Sequence, residues 1–418
     1  MSVRLSARPG ATGPAGARRA PPDHGSGRLR AMSERTADVL GEPFVAEVIE
    51  LPDDSEGRVI ATLVHAPAPD RSERAVLYVH GFCDYFFQTQ LAEFFTRLGY
   101  DFYALDLRKY GRSLLPHQTP NFCLDLGDYD PELDEAYRRI TERDGHTDVV
   151  AVAHSTGGLV LPLWGHHRRE RGLPHPSAYV LNSPWFDLRG SFLLRTVGTR
   201  AIDQVGARRP YQVIPRNVSA VYGESIHSDH RGEWTYDTAW KPMTSFPVRA
   251  GWLRAVRRGH RRLHHGIEAG GPVLVLASQR TAFTAVWSED VPSADVVLDV
   301  GQIARWSHRL GRLVTIARFD GALHDVFLSA QPVRDTVYAT VERFLAASAP
   351  FDLAPPPHAA SPSDAAPRKE GASPSDAAPP TEGASPADAA PPTEGAPRSG
   401  TAAATEAASP SETGFSPA

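Results

Sequence analysis

The stretch Val149-Val150-Ala151-Val152-Ala153-His154-Ser155-Thr156-Gly157-Gly158-Leu159-Val160 holds a serine in a setting suited to nucleophilic chemistry. Small and β-branched residues lead up to Ser155, two glycines follow closely, and an apolar helical pattern then begins, which predicts a strand, a sharp turn and a helix. A serine at such a turn is held in a strained backbone conformation, so its neighbours must be small. Its hydroxyl stands clear of the sheet at a helix N-terminus, where negative charge is stabilised. The pattern is that of the nucleophile elbow, Gly-x-Ser-x-Gly, with Ala153 in place of the first glycine. Taken alone, it is equally the signature of an ordinary strand-to-helix connection, and the rest of the chain must decide.

The elements that would position Ser155 follow from periodicity. Residues 44–51 and 58–65 alternate apolar and polar around Pro52-Asp53-Asp54-Ser55-Glu56-Gly57, which predicts an antiparallel strand pair at a sheet edge. The continuous apolar run 75–79 predicts a strand covered on both faces, ending in His80-Gly81-Phe82-Cys83-Asp84-Tyr85. Helix and strand then alternate: helix 88–98, strand 102–107, helix 131–143, the strand 149–153 and a strand at 179–182. This is a doubly wound α/β pattern with a mostly parallel sheet. After a long interruption it resumes with a strand at 272–278, a helix at 302–310, a strand at 313–318 and a final helix at 332–346. In such sheets the chemistry sits at the carboxyl ends of the strands, which is where Ser155, Asp299 and His324 fall.

The interruption, 184–271, is long, aromatic and without strand pattern. Trp185, Phe186, Phe192, Tyr211, Tyr222, Trp234, Tyr236, Trp240 and Phe246 supply apolar surface of the kind a lid places over a pocket, or that a second small core would bury. Near its end Trp252, Leu253, Val256, Leu263 and Ile267 follow helical spacing, with Arg254, Arg257, Arg258, Arg261 and Arg262 between them. The arginines form either a solvated face or an anion-binding one.

Composition divides the chain further. Of 418 residues, 41% are hydrophobic, enough for a large core, but the two ends differ from the middle. Residues 1–35 are rich in Arg, Pro, Gly and Ala and lack the apolar run of a secretory signal, so a disordered leader is expected, with Met32 a possible alternative start. Residues 351–418 are rich in Pro, Ala, Ser, Glu and Gly, with one unit in tandem at 360–371, 372–383 and 384–395. A unit with no aliphatic or aromatic residue larger than alanine cannot stack into a solenoid, so a flexible tail is expected. Between the ends the expected organisation is a core over 36–183 and 272–350 with a cap inserted at 184–271. Lys+Arg 44 against Asp+Glu 49 gives a net charge of -5, no basis for nucleic acid or an anionic membrane as main partner. No apolar run of about 18 residues exists to span a membrane. Cys83 and Cys123 are too few for a disulfide framework, which points to a reducing, cytoplasmic setting. The pairs His166-His167, His227 with His230, and His264-His265 lack accompanying carboxylates or cysteines at ligand spacing, so no metal and no cofactor is expected.

The motifs together resemble the α/β-hydrolase family, specifically its serine aminopeptidase (S33), monoacylglycerol lipase and lysophospholipase branch. The resemblance covers about residues 44–347. It rests on His80-Gly81-Phe82, Asp106-Leu107-Arg108-Lys109-Tyr110-Gly111-Arg112-Ser113, Ala153-His154-Ser155-Thr156-Gly157-Gly158, Ala294-Asp295-Val296-Val297-Leu298-Asp299 and Gly321-Ala322-Leu323-His324-Asp325. Departures are Ala153 for glycine and Lys109 where the family often has glycine; each could alter pocket shape.

The resemblance implies a Ser-His-Asp triad. A serine hydroxyl is a weak nucleophile and needs a base to take its proton; His324 fits, since an imidazole titrates near neutrality and can pass the proton to the leaving group. Asp299 is expected to hold the far nitrogen, in preference to Asp295, because it stands where the family motif ends; the order Ser, Asp, His is that of the fold. The backbone N–H groups of Phe82 and Thr156 would receive the oxyanion, one such donor being worth about 10²–10³ in rate. His80 is expected to support its loop, His154 to bond locally, Asp325 to be structural and Cys83 to pack. The implied activity is cleavage of a small-molecule carboxylic ester with an apolar acyl chain, such as a monoacylglycerol or lysophospholipid, through an acyl-enzyme. The alternatives are an aminopeptidase or amidase of the same family, or a hydrolase-like fold kept for binding alone.

Overall fold

Five successive apolar residues follow Arg74, and a run of that kind is satisfied only when both faces of its strand are covered. In the computed structural model, which describes residues 34–189, 202–215 and 219–348, this run lies inside a single mixed sheet. The strands are β1 Thr36–Ala37, β2 Val45–Asp54, β3 Gly57–Ala66, β4 Arg74–Val79, β5 Asp101–Asp106, β6 Asp148–His154, β7 Ala178–Asn182, β8 Val273–Ser278 and β9 Val314–Phe319. Their order is β1-β2-β3-β5-β4-β6-β7-β8-β9. The first three and the β3·β5 pair are antiparallel, and everything from β5 to β9 is parallel. The order reverses at β4, so the loops after β4 and β6 open side by side at the carboxyl edge, the switch point where open α/β sheets place their chemistry.

The helices are α1 Thr89–Arg97, α2 Asp130–Arg138, α3 Gly157–Glu170, α4 Val221–Ile226, α5 Ala250–His264, α6 Val300–Ser307 and α7 Gln331–Ser348, with a further unlabelled helical stretch at 202–208. Alternate strand residues face opposite sides. Val76, Tyr78, Val150 and Val152 pack with Phe94 and Phe95 of α1 and Val337 and Val341 of α7. Leu77, Val79, Ala151 and Ala153 pack with Leu133 of α2, Leu159 and Trp164 of α3 and Trp252 of α5. The result is a sheet covered by helices on both faces, which makes the α/β expectation correct. Local chemistry shifts some ends: the helix expected over 131–143 is α-helical only to Arg138 and closes with a π-turn at Arg139–Arg143.

The aromatic interval packs against the carboxyl edge of the sheet. Ile226, Trp234 and Tyr236 form a cluster with Tyr85, Phe87, Leu323 and Leu328, residues that follow β4 and β9. On α5 the arginines of the expected solvated face stay largely at the surface, Arg258, Arg261 and Arg262 being 37–46% exposed in their side chains, and each is paired with an aspartate of the same chain. Arg258 and Arg262 meet Asp125 at 3.1 and 3.2 Å, Arg261 meets Asp203 at 2.7 Å, and Arg257 is buried against Asp187 at 2.7 Å. Apart from Glu34 and Arg35, the leader expected over 1–35 lies outside the described residues, as do the tail expected over 351–418 and Phe192 of the aromatic interval.

Candidate active site

Parallel pairing fixes the height of Ser155. His154 at the end of β6 is in register with Asn182 of β7, and the Ser155 N–H donates to the Asn182 carbonyl at 2.9 Å, so the chain must turn sharply one residue past the sheet. Ser155 has φ +52°, a conformation that costs a non-glycine residue about 1–3 kcal/mol and is kept only where the surroundings over-determine it. Those surroundings are tight. A Cβ on Gly157 would lie 2.5 Å from the His80 carbonyl oxygen, and one on Gly158 would lie 2.6 Å from Pro184 Cβ. Ala153, the departure from the motif, is fully buried within β6 in register with Val79 and Leu181; its methyl points into the core and the turn still forms. Helix α3 begins two residues on, so its N-terminal dipole faces Ser155.

His324 follows β9 by a turn that Gly321 makes at φ +73°, and the Leu323 N–H donates to Ser329 Oγ at 3.0 Å. Its Nε2 lies 3.1 Å from Ser155 Oγ, at hydrogen-bonding range across 169 residues of sequence. Its Nδ1 lies 2.9 Å from a carboxylate, and that carboxylate is Asp295, not Asp299. The correction has a clear physical cause. After β8 the chain loops out and returns through a bridge between Thr281 and Asp295, which brings Asp295 to the carboxyl edge. There Asp295 Oδ1 accepts the N–H groups of Val297 and Leu298 at 2.8 and 2.7 Å, leaving Oδ2 aimed at His324. Asp299, four residues on, is the N-cap of α6, accepting the Gly301 N–H at 2.9 Å. Ser155 is 8% exposed, His324 2% and Asp295 0%, so solvent reaches the serine and not the pair behind it.

The loop after β4 lies directly on the elbow. A Cβ on Gly81 would come within 2.9 Å of Ser155 Cβ, so only glycine allows Phe82 to pass this close. Among the described residues, neither the Phe82 nor the Thr156 N–H donates to a backbone carbonyl outside regular helices and strands. His80 supports the loop: its Nε2 accepts the Leu107 N–H at 3.1 Å and its Nδ1–H donates to the Gly81 carbonyl at 2.8 Å. Burial lowers its pKa, in keeping with the neutral ring this pairing requires.

A second polar layer lies under the triad-like set, and the sequence reading did not assemble it. Asp84 accepts from Lys241 Nζ at 2.8 Å and from His154 Nδ1 at 3.1 Å, all three being buried. Burial opposes ionisation of Asp84, yet Lys241 and His154 outweigh it and hold the carboxyl below the ordinary range. Burial likewise opposes a charged His154, but Asp325 and Asp84 prevail and raise its pKa. Asp325 accepts from Asn182 Nδ2 at 2.6 Å and from Gln88 Nε2 at 3.3 Å, tying the loop of His324 to β7 and to the start of α1. The rings of Tyr222 of α4 and His324 lie edge to face, with centroids 5.6 Å apart. One signal was available in the sequence: the chain has three lysines, at 109, 241 and 369, among 44 basic residues. Lysine at 241, where arginine is the rule, marks a small socket for a point charge.

Other expected features sit away from the serine. Lys109 adopts φ +65°, which accounts for the family's glycine there, and its ammonium is buried against Asp54 at 2.7 Å and Glu56 at 2.5 Å, towards the β2–β3 turn. Cys83 accepts the Phe246 N–H at 3.3 Å, and burial raises its thiol pKa, so it packs rather than reacts. Among the described residues no group of three or more His, Cys, Asp or Glu is arranged to hold a metal, and no helix is long and apolar enough to cross a membrane.

Comparison with known proteins places this geometry. The family model described as serine aminopeptidase, S33, matches residues 70–329, more than half of the chain. Among solved structures, a soluble variant of monoglyceride lipase from Saccharomyces cerevisiae, in complex with a substrate analogue, is similar at 14% identity and TM-score 0.51, over 72% of this chain and 94% of that one. A highly thermostable carboxyl esterase from Bacillus coagulans, in complex with glycerol, is similar at 13% identity and TM-score 0.52, over 72% and 98%. A search of curated proteins gave no match. At such identities the solved structures speak for the fold, and the family model for the lineage: the chain belongs to the serine aminopeptidase S33 family and carries the α/β-hydrolase fold.

Proposed function

We propose that the protein is a serine hydrolase that cleaves carboxylic esters of small molecules with an apolar acyl group, through an acyl-enzyme. The observation that carries the reading is Ser155 at φ +52° with His324 Nε2 3.1 Å from its oxygen and Asp295 2.9 Å behind the imidazole. In this reading the neutral imidazole keeps its proton on Nδ1, where Asp295 accepts it, and Nε2 is left to take the serine proton. Ser155 Oγ bonds to the ester carbonyl carbon as its proton passes to His324. The oxyanion is received by the N–H groups of Phe82 and Thr156. Collapse breaks the bond to the alcohol, which leaves with the proton from His324. Water then repeats the sequence, His324 acting as base, and releases the acid. The apolar acyl preference is supported by the aromatic surface beside the elbow: Trp185, whose backbone N–H donates to the Ser155 carbonyl at 3.0 Å, and Phe82, whose ring centroid lies 4.1 Å from that of Trp252. The names of the two similar solved structures, a monoglyceride lipase and a carboxyl esterase, agree with ester cleavage.

A fluorophosphonate probe tests the reading. One adduct at Ser155, lost in Ser155→Ala, is expected; folded protein that takes no label overturns it and favours a binding role. The description of the matched family favours a second reading, amide cleavage. A chain-length series of p-nitrophenyl esters run beside proline arylamides separates the two, and turnover confined to the arylamides would reverse the assignment.

A further inference from the structure

The residues that follow the proposed oxyanion donor Phe82 are held, one after another, by a single stretch of the inserted region. The Phe246 N–H donates to Cys83 Sγ at 3.3 Å, Lys241 Nζ to Asp84 at 2.8 Å, and the Asp237 N–H to Tyr85 Oη at 2.7 Å. The same stretch is anchored below His324, where Trp234 Nε1 donates to the Leu328 carbonyl at 2.9 Å. Cys83 has φ +52°, so this loop does not sit in a relaxed backbone conformation and its shape must be imposed from outside. Lys241 is the centre of that constraint. Its ammonium lies 5.7 Å from the rings of Phe87, Tyr222 and Tyr236, and a charge so enclosed is stable only against its carboxylate partner. Asp84 in turn bonds His154, the residue before Ser155. One carboxylate thus joins the inserted region, the loop of Phe82 and the elbow.

We propose that Lys241 is a positioning residue for the reaction: through Asp84 it fixes the loop carrying the Phe82 N–H against the Ser155 elbow, so that the inserted region between residues 234 and 246 is a fixed buttress of the oxyanion site rather than a moving lid. The inference rests on the ester-hydrolase reading, with Phe82 as donor. If the pair only stapled the inserted region to the core, its loss would lower the thermal midpoint and leave turnover of the folded fraction alone. A buttress predicts a split between the two kinetic constants, because the oxyanion contact strengthens in the transition state and hardly acts on bound ester.

The test is steady-state hydrolysis of p-nitrophenyl butyrate, corrected for active-site concentration by fluorophosphonate titration. Lys241→Met is expected to lower kcat about tenfold or more, part of the roughly 10²–10³ one donor supplies, with KM within about threefold. Asp84→Asn is expected to do the same, and the double variant to be no worse than either single, since both remove one constraint. A folded Lys241→Met protein with kcat within about twofold of the parent overturns the proposal, as does multiplication of the two losses in the double variant. Should Lys241→Met fail to fold, the double variant removes the buried ammonium together with its carboxylate: native kcat in it overturns the proposal, and reduced kcat at unchanged KM upholds it. Labelling of the parent at Ser155 is read separately, so failure of the hydrolase reading is distinguishable from failure of the buttress.

Discussion

Two aspartates four residues apart do different work, and the difference lies in what each carboxylate receives. Asp295 takes two backbone N–H groups on one oxygen and His324 on the other. Asp299 takes the first free N–H of α6. Removing the charge from Asp295 while keeping its shape, Asp295→Asn, should lower kcat by about 10³–10⁴, because the amide can no longer hold the imidazole in the tautomer that accepts the serine proton. Asp299→Ala should leave kcat within about twofold and reduce stability by about 1 kcal/mol, the ordinary value of an N-cap. Steady-state kinetics and chemical denaturation of the two variants measure this directly. Reversed outcomes would restore Asp299 to the role expected for it from the sequence.

At the scale of elements, α5 is held to the core by a buried histidine that must stay neutral. His260 Nε2 lies 2.9 Å from the Trp185 carbonyl, to which it donates, while its Nδ1 accepts from Arg257 at 3.1 Å; Asp187 and His264 complete the surroundings. Burial, then the neighbouring Arg257 charge, lowers its pKa from 6.5 to about 3. The folded pKa lies below the unfolded one, so the unfolded chain binds a proton that the folded chain refuses. This contribution to stability is complete above pH 6.5 and is lost as pH falls towards 3, at up to about 1.4 kcal/mol per pH unit. Denaturation curves from pH 7.5 to 4.5 should fall less steeply in His260→Gln than in the parent. Parallel curves would mean that the imidazole does not stay neutral in the fold.

For the molecule as a whole, every group given a part in the proposed site or its support lies between His80 and Ser329, and the two large hydrophobic clusters end by Leu345. A chain cut after Ser348 is therefore expected to keep kcat/KM for p-nitrophenyl esters within about twofold and its thermal midpoint within a few degrees. A larger loss would assign a structural or catalytic part to the Pro, Ala and Ser-rich segment, whose composition supplies little apolar surface to bury.

Much of this architecture was legible in local pattern. The apolar runs at 75–79 and 149–153 are strands β4 and β6, and the small residues about Ser155 permit the turn that its φ angle confirms. Sequence also set the chain positions of Ser155 and His324 relative to strand ends, because periodicity and glycine placement are local properties of the polymer. Tertiary structure alone decided which aspartate meets His324, since a long loop after β8 has no period from which its return can be read. It alone brought Lys241 to Asp84 across 157 residues, a pairing that depends on how a region without repeating pattern folds back on the sheet. Burial, which encloses Lys241 and His154 with Asp84 as their shared partner, exists only once the chain has closed around them.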